Sequence, residues 1–558
     1  MPGSAKIIPP ILPQTTKKIY FGVVLLKKTD RLMAKAGAFD FDGQPKLFGH
    51  PVGLFILFFT ELWERFSFFG MRGILVLFLV AQTTGNNPGF GWDNQEALAL
   101  YGWYTMLAYL AAIPGGLWAG RRLGQRRSVL AGGLLLCLGY GLLVVDTVAA
   151  FYAGLAFIIL GVGCLKPNIT GMVGALYPAG DDQRDIGFTI FYIGINAGAF
   201  LSTLAIGWVA VRIDWHLGFG LAGLGMVAGQ LVYIFGQRYL RGVGERPEPE
   251  SPGRVGALFS KLFSHRTPFF VVALFALGAL VLVSAGKPGF GIIAAFLGLL
   301  AGLAITLYQE SGPLERDRLL AVFFTLILVA AFWGAFEQAG GLMNLYAQQK
   351  TDRMLAGFEL PAPWFQSLNP LYIMIFGTPV GLAWLWWKKQ GREVSSLFKI
   401  ALGTIVLGLG FFFMAGAAAE FEAKGESAMY WLVLAYLLVT LGELFASPVA
   451  LSFITKLSPA RYSSLALSFY FAAVGLGHKL AGALGEAAQH IGDFTIFTGI
   501  AAGCILVGIL TLLLLAPLKR MAHGADGLPG SHFEEQEGFE LADQPEAEEE
   551  WATKKKGL

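Results

Sequence analysis

Fourteen stretches of this chain each run for about 20 mostly apolar residues, and that repetition decides what it can become. The runs lie near 51–82, 97–119, 128–146, 149–167, 186–211 and 216–236, then 268–285 and 289–308, then 319–341, 364–388, 396–418, 428–455, 461–485 and 494–517. Lipid offers the backbone no hydrogen bonds, so only helices or closed barrels can span it, and runs this long exclude barrel strands. Charge supports this: 14% of the 558 residues are Asp, Glu, Lys or Arg. A soluble chain carries about 25%, because its surface must face water. An all-α integral membrane protein is expected.

The basic residues give the orientation. They gather before the first run (Lys6, Lys17, Lys18, Lys27, Lys28, Arg31, Lys35, Lys46), after the second (Arg121, Arg122, Arg126, Arg127), near 388–392 (Lys388, Lys389, Arg392) and after the last (Lys519, Arg520). The alternate loops, such as 81–96, have almost none. Basic loops stay in the cytoplasm, which puts both termini there and makes the chain multi-pass. The first long run begins near residue 51, too late and too long for a cleaved signal peptide. The runs divide into six, two and six. The expected organisation is a basic arm over 1–50, a six-helix half over 51–240 and a linker over 241–267, rich in charge, proline and glycine. An inserted pair of helices follows over 268–310, a second six-helix half over 311–518 and a disordered tail over 519–558. A net charge of +3 carries no sign of nucleic-acid binding. Cys137, Cys164 and Cys504 lie inside apolar runs and read as small buried hydrophobes.

An ionisable side chain inside a span is expensive and marks function by default. The first span carries Glu61, Glu64, Arg65 and Arg72, whose spacing puts them on one side of a helix over roughly 16 Å. A local packing triad would account for the first three but not for Arg72. Lys166 stands beside Pro167 toward the end of the 149–167 span; snorkelling to the interface is the bland alternative. Glu337 lies in the 319–341 span and Glu443 in the 428–455 span. The positions pair by sign. Arg72 and Glu337 fall on equivalent spans of the two halves, and so do Lys166 and Glu443. Both pairs are expected to meet across a central cavity and to break as the halves rock. His478, beside Lys479, reads first as a hydrogen-bonded packing residue toward the outer end of its span, with proton binding as the alternative.

At these residues the chain resembles bacterial members of the proton-coupled oligopeptide transporter family, a branch of the major facilitator superfamily. The segments ELWERFSFFGMR, CLKPNIT, FTIFYIGINAGAF, FWGAFEQAG, WFQSLNP and LGELFASP resemble six of its motifs, in order, and the likeness runs over about 51–517. The resemblance implies a major facilitator fold of 6+6 helices with two extra helices between the halves, fourteen transmembrane helices in all. It implies a proton-driven symporter that imports di- and tripeptides across the bacterial inner membrane by alternating access. Glu61, Glu64, Arg65 and Glu337 would couple protons. Arg72 and Lys166 would attract the peptide carboxylate and Glu443 its amine. Asn196 and Asn369 would hold backbone amides, with Tyr109, Trp333, Phe68, Phe69 and Tyr470 lining the pocket. Phe68 and Phe69 replace two tyrosines of the family pattern, Tyr470 a tryptophan and Gly120 an aspartate. Another small zwitterion or anion as cargo, or drug–proton antiport, is the alternative reading. No metal-ligand cluster, nucleophile motif or cofactor-binding loop is visible, so no cofactor, no metal and no enzyme activity are expected.

Overall fold

The computed structural model describes residues 43–178, 181, 183–245, 254–392, 394–459 and 462–525. The expected arm up to residue 42, the middle of the linker (246–253) and the tail beyond 525 lie outside the described residues.

The first long helix, α1 (Val52–Val80), is 29 residues long. Among the described residues, thirteen helices after it are long and apolar enough to cross a bilayer: α2 (Asn94–Trp118), α3 (Gln125–Leu143), α4 (Val148–Gly174), α5 (Gln183–Arg212), α6 (Trp215–Leu240), α7 (Arg266–Ser284), α8 (Pro288–Gln309), α9 (Pro313–Lys350), α10 (Ala362–Lys389), α11 (Ser396–Lys424), α12 (Tyr430–Leu457), α13 (Leu465–Ile491) and α14 (Asp493–Leu513). By composition alone α1 falls short of the other thirteen, because it holds Glu61, Glu64, Arg65 and Arg72. The bundle buries all four, at 3%, 0%, 4% and 8% exposure. Short polar side chains start several helices where the first turn leaves amide N–H groups unpaired. Asp93 accepts from Glu96 N at 2.7 Å to open α2, and Asp214 accepts from Leu217 N at 2.9 Å to open α6.

The two six-helix halves repeat one packing device. Helices α3 and α4 touch through glycines: a Cβ on Gly132 would stand 2.7 Å from the carbonyl oxygen of Gly161. The equivalent pair α11 and α12 does the same, with a Cβ on Gly403 2.6 Å from the carbonyl oxygen of Gly442. In lipid no hydrophobic force drives helices together, so close backbone approach through small residues supplies the packing energy.

The halves meet along two symmetric seams. One is α2 against α13, where a Cβ on Gly102 would lie 2.9 Å from the Cα of Gly482. The other is α5 against α10, where Trp364 Nε1 donates to Leu204 O at 3.0 Å. At the end opposite the basic loops, Asn94 Nδ2 reaches Gln349 Oε1 at 3.2 Å and Gln489 Oε1 at 3.1 Å, and Arg212 pairs with Glu359 at 3.4 Å.

Three local features depart from the sequence reading. Helix α4 runs through Pro167 to Gly174, so Lys166 sits inside the helix rather than at its end. Helix α9 is broken: Pro313–Phe336 gives way to a tight turn at Glu337–Ala339 and resumes at Leu342–Lys350. The linker contains a helix, Arg254–Ser264, that was not anticipated, since 11 residues are too few for a span and its neighbours are rich in proline and charge. It buries Leu258 and Leu262, and its Lys261 binds Glu310 at the end of α8. That hydrogen bond, with His265 adding to it, holds the Glu310 carboxyl below the usual carboxylate range.

The glycine contacts set a test. Gly132→Val and Gly403→Val each drive a side chain into a backbone carbonyl and should destabilise the protein by about 1–3 kcal/mol. Gly120→Ala, whose Cβ meets nothing within 4 Å, should leave thermal unfolding in detergent unchanged.

A buried charge cluster between the two halves

Helical spacing sets the cluster on α1. Glu61 and Arg65 are one turn apart, with Glu64 next to Arg65 in sequence. Arg65 Nε lies 3.0 Å from Glu61 Oε1 and also binds Glu64. The guanidinium lies 5.4 Å from the centre of the Phe68 ring and 5.9 Å from that of Phe69, and Arg72 lies 4.8 Å from Phe69 on its other flank. These rings give two buried cations a face to rest on without offering a hydrogen bond. The triad holds two carboxylates and one guanidinium, so one added proton brings it to neutrality.

Two turns further along, Arg72 crosses to the other half. Its Nη1 donates to Glu337 Oε1 at 2.8 Å and Oε2 at 3.1 Å. The expected bridge is therefore formed, with Arg72 8% and Glu337 1% exposed. The hydroxyl of Tyr101 also donates to Glu337 Oε1. Glu337 stands at the break in α9, and the break is pinned from both sides. Asn344 Nδ2 and Gln366 Nε2 donate to Gly73 O at 2.8 and 3.4 Å, and Tyr436 donates to Ala339 O at 3.2 Å. Gly340 is needed here: a Cβ would fall 2.0 Å from the Tyr101 hydroxyl.

The second expected bridge is not formed. Lys166 Nζ sits 3.8 Å over the ring of Tyr109. Glu443 Oε2 accepts from Asn369 Nδ2 at 2.8 Å, and the same amide donates to Thr440 at 3.1 Å. The reason is position along the helices. At 1.5 Å per residue, Lys166 lies about 27 Å and Glu443 about 20 Å from the ends of α4 and α12 that face away from the basic loops, against about 12 Å for Arg72 on α1. The halves are tied together nearest that end, where the Arg72 bridge lies. Asn196 is buried, and its amide nitrogen donates to Tyr192 O of its own helix at 2.9 Å. Asn369, Tyr109 and Trp333 are half-buried, and Tyr470 is buried beside Trp333.

His478 departs most from its first reading. It is 2% exposed, and its ring lies 4.5 Å from Tyr109 and 5.9 Å from Trp333, stacked on the latter. Among the described residues neither ring nitrogen has a hydrogen-bond partner, and Nδ1 is 3.8 Å from Glu337 Oε1. It belongs to the charge cluster, not to the outer packing. The available signal was its setting between Gly475 and Gly477 on one side and Gly482 on the other, small residues that bring α13 against both α2 and α9. Tyr101 was missed altogether. It lies two turns from Tyr109, on the same face of α2.

Comparison with known proteins gives consistent likenesses. Residues 126–493 match the family described as "POT family". The chain is 35% identical to the peptide transporter YePEPT of Yersinia enterocolitica, over 87% of this chain and 98% of that protein. It is 34% identical to a di-/tripeptide transporter of Lactococcus lactis, over 85% and 97% of the two chains. A crystal structure of a peptide transporter POT in complex with sulfate superposes with a TM-score of 0.74, at 35% identity, covering 88% of this chain and 99% of that one.

The bridge can be measured. Glu337→Gln keeps the shape but leaves the Arg72 charge buried without its counter-ion, and should cost about 3–5 kcal/mol in thermal unfolding. Adding Arg72→Met should recover part of that loss, so the double variant is more stable than the sum of the single changes.

Proposed function

The chain belongs to the POT family of multi-pass membrane transporters, and from that premise we propose that it imports di- and tripeptides with protons across a bacterial inner membrane, by alternating access, with both termini in the cytoplasm. The observation that carries the proposal is the buried bridge from Arg72 to Glu337 at 2.8 Å, which joins the two halves while Lys166 and Glu443 stay unjoined. Lys166 rests on a neutral ring and Glu443 on a neutral amide. A zwitterion answers both charges at once, its carboxylate at Lys166 and Arg72 and its amine at Glu443. Both side chains are half-buried, and a charge taken fully out of water needs a partner, so the cargo that covers them supplies their counter-charges.

The half-buried rings of Phe69, Tyr109 and Trp333 wall the space in which peptide side chains would lie. Asn369 would exchange its bond to Glu443 for a peptide amide, and Asn196 would turn from Tyr192 to do the same. Protons enter at the Glu61–Glu64–Arg65 triad. Protonation of Glu64 or Glu61 frees Arg65 from one partner, and with Glu337 this links proton binding to movement of the halves. Each proton is driven by about 2.3 kcal/mol per 100 mV of membrane potential, plus the pH gradient. An apolar cation, the cargo of drug–proton antiport, would meet Arg72 and Lys166 with like charge. This is carrier chemistry rather than catalysis: nothing in the cluster is asked to make or break a covalent bond.

Uptake into proteoliposomes under an imposed pH gradient tests the reading. Wild-type protein should accumulate labelled dipeptide against its gradient, and unlabelled di- and tripeptides should compete. Glu64→Gln should abolish accumulation and spare peptide exchange; accumulation that survives the change removes the triad from the coupling mechanism.

A further inference from the structure

We infer that His478 is a proton-binding group through which the substrate carboxylate, on reaching Lys166, loosens the Arg72–Glu337 bridge. The inference rests on the peptide reading above and goes beyond it.

A histidine whose two ring nitrogens are both buried without hydrogen bonds is a poor packing residue. Each unsatisfied polar group costs about 1–3 kcal/mol, and an apolar side chain would fill the space without that loss. Its neighbour Lys479 turns away, pairing with Glu486 at 2.9 Å and lying over Trp103 at 5.2 Å, so the two residues have separate surroundings. Charged and titratable groups face His478 from each packed element. Helix α9 brings Glu337, α1 brings Arg72 and α4 brings Lys166. Helix α2 brings Tyr109 and Tyr101. On α12, Tyr436 is bound to Ala339 O and Glu443 to Asn369. Helix α14 carries only Cys504 and, at its end, Asp493, which is paired with Lys350.

One anion thus faces the imidazole against two cations. While the Lys166 charge is unanswered, a proton on His478 is disfavoured. Tyr109 makes this direct: Lys166 lies 3.8 Å from its ring centre and the His478 ring centre 4.5 Å from it, so both cations would crowd one ring. A substrate carboxylate at Lys166 cancels that repulsion. A proton from solvent admitted with the substrate then binds the lone pair of a ring nitrogen, and no covalent bond is broken in the protein or the substrate. The imidazolium adds a cation beside Glu337 Oε1, the atom that already accepts from Arg72 and Tyr101. Arg72 is no longer the sole cation bound at Glu337 and becomes free to engage the carboxylate itself. When substrate leaves, Lys166 is again unanswered and the proton is expelled with it.

The measurement is the number of protons taken up per peptide. Full-length protein in detergent is titrated with dialanine by calorimetry, in buffers of different ionisation enthalpy. Wild type should bind protons with the peptide, and His478→Gln should bind about one fewer at the same pH, a change that a purely structural role would not produce. His478→Asn serves if the Gln variant does not fold. Wild type titrated with dialanine amide, which lacks the carboxylate, should likewise take up about one proton fewer. An unchanged proton count in the folded variants, or an equal count for the amide and the free acid, overturns the role of His478. A wild-type protein that binds no dialanine at all overturns the peptide reading from which the inference starts.

Discussion

A salt bridge between Arg72 and Glu337 organises the centre of this molecule. Each partner lies on a different half, and each is buried. Desolvating two such charges costs several kcal/mol per ion, and the geometry has to return it through close contact and added hydrogen bonds. Hence the detail around the pair. A tyrosine donates to Glu337, a phenylalanine ring supports the guanidinium, a glycine leaves room for both, and two amides clamp the backbone carbonyl beside Arg72. A carboxylate placed where its helix breaks can move with little disturbance to the regular turns before and after it.

The fold separates what is fixed from what can change. Within each half, helices lock through glycine contacts with a carbonyl under a Cβ's width away, at Gly132 with Gly161 and at Gly403 with Gly442. Such close backbone contacts leave little room for sliding within a half. Between the halves one close glycine contact, Gly102 with Gly482, stands beside exchangeable ties: ion pairs, amide hydrogen bonds and an indole-to-carbonyl contact, each of which can find another partner in water or substrate. Rigid blocks joined by replaceable polar links are what rocking about a central site requires.

Much of this was legible in the sequence, and the residues show why. The spans follow from apolar length, which lipid enforces without regard to tertiary detail. Arg72 and Glu337 could be paired because charges inside spans are few and their helices occupy equivalent places in the two halves. Lys166 and Glu443 met the same two conditions and yet lie apart, since pairing by sign says nothing about which conformation is present. His478 was misplaced because a lone histidine on an apolar helix carries no periodic signal, and the flanking glycines that mark close packing do not say against which helices; the packing of α13 against α2 and α9 does. The helix at Arg254–Ser264 was hidden by the proline, glycine and charge around it.

The charge load of α1 also bears on how the protein is made. Four ionisable residues in one span cost on the order of 10 kcal/mol for a helix entering the bilayer alone, comparable with what its leucines, isoleucines, valines and phenylalanines return. Its stable place in the membrane therefore depends on helices synthesised after it. The partner of Arg72 lies 265 residues downstream, so this side chain waits for most of the polypeptide to emerge before its counter-ion exists. The pair that ties the two halves together thus also ties an early helix to a late one.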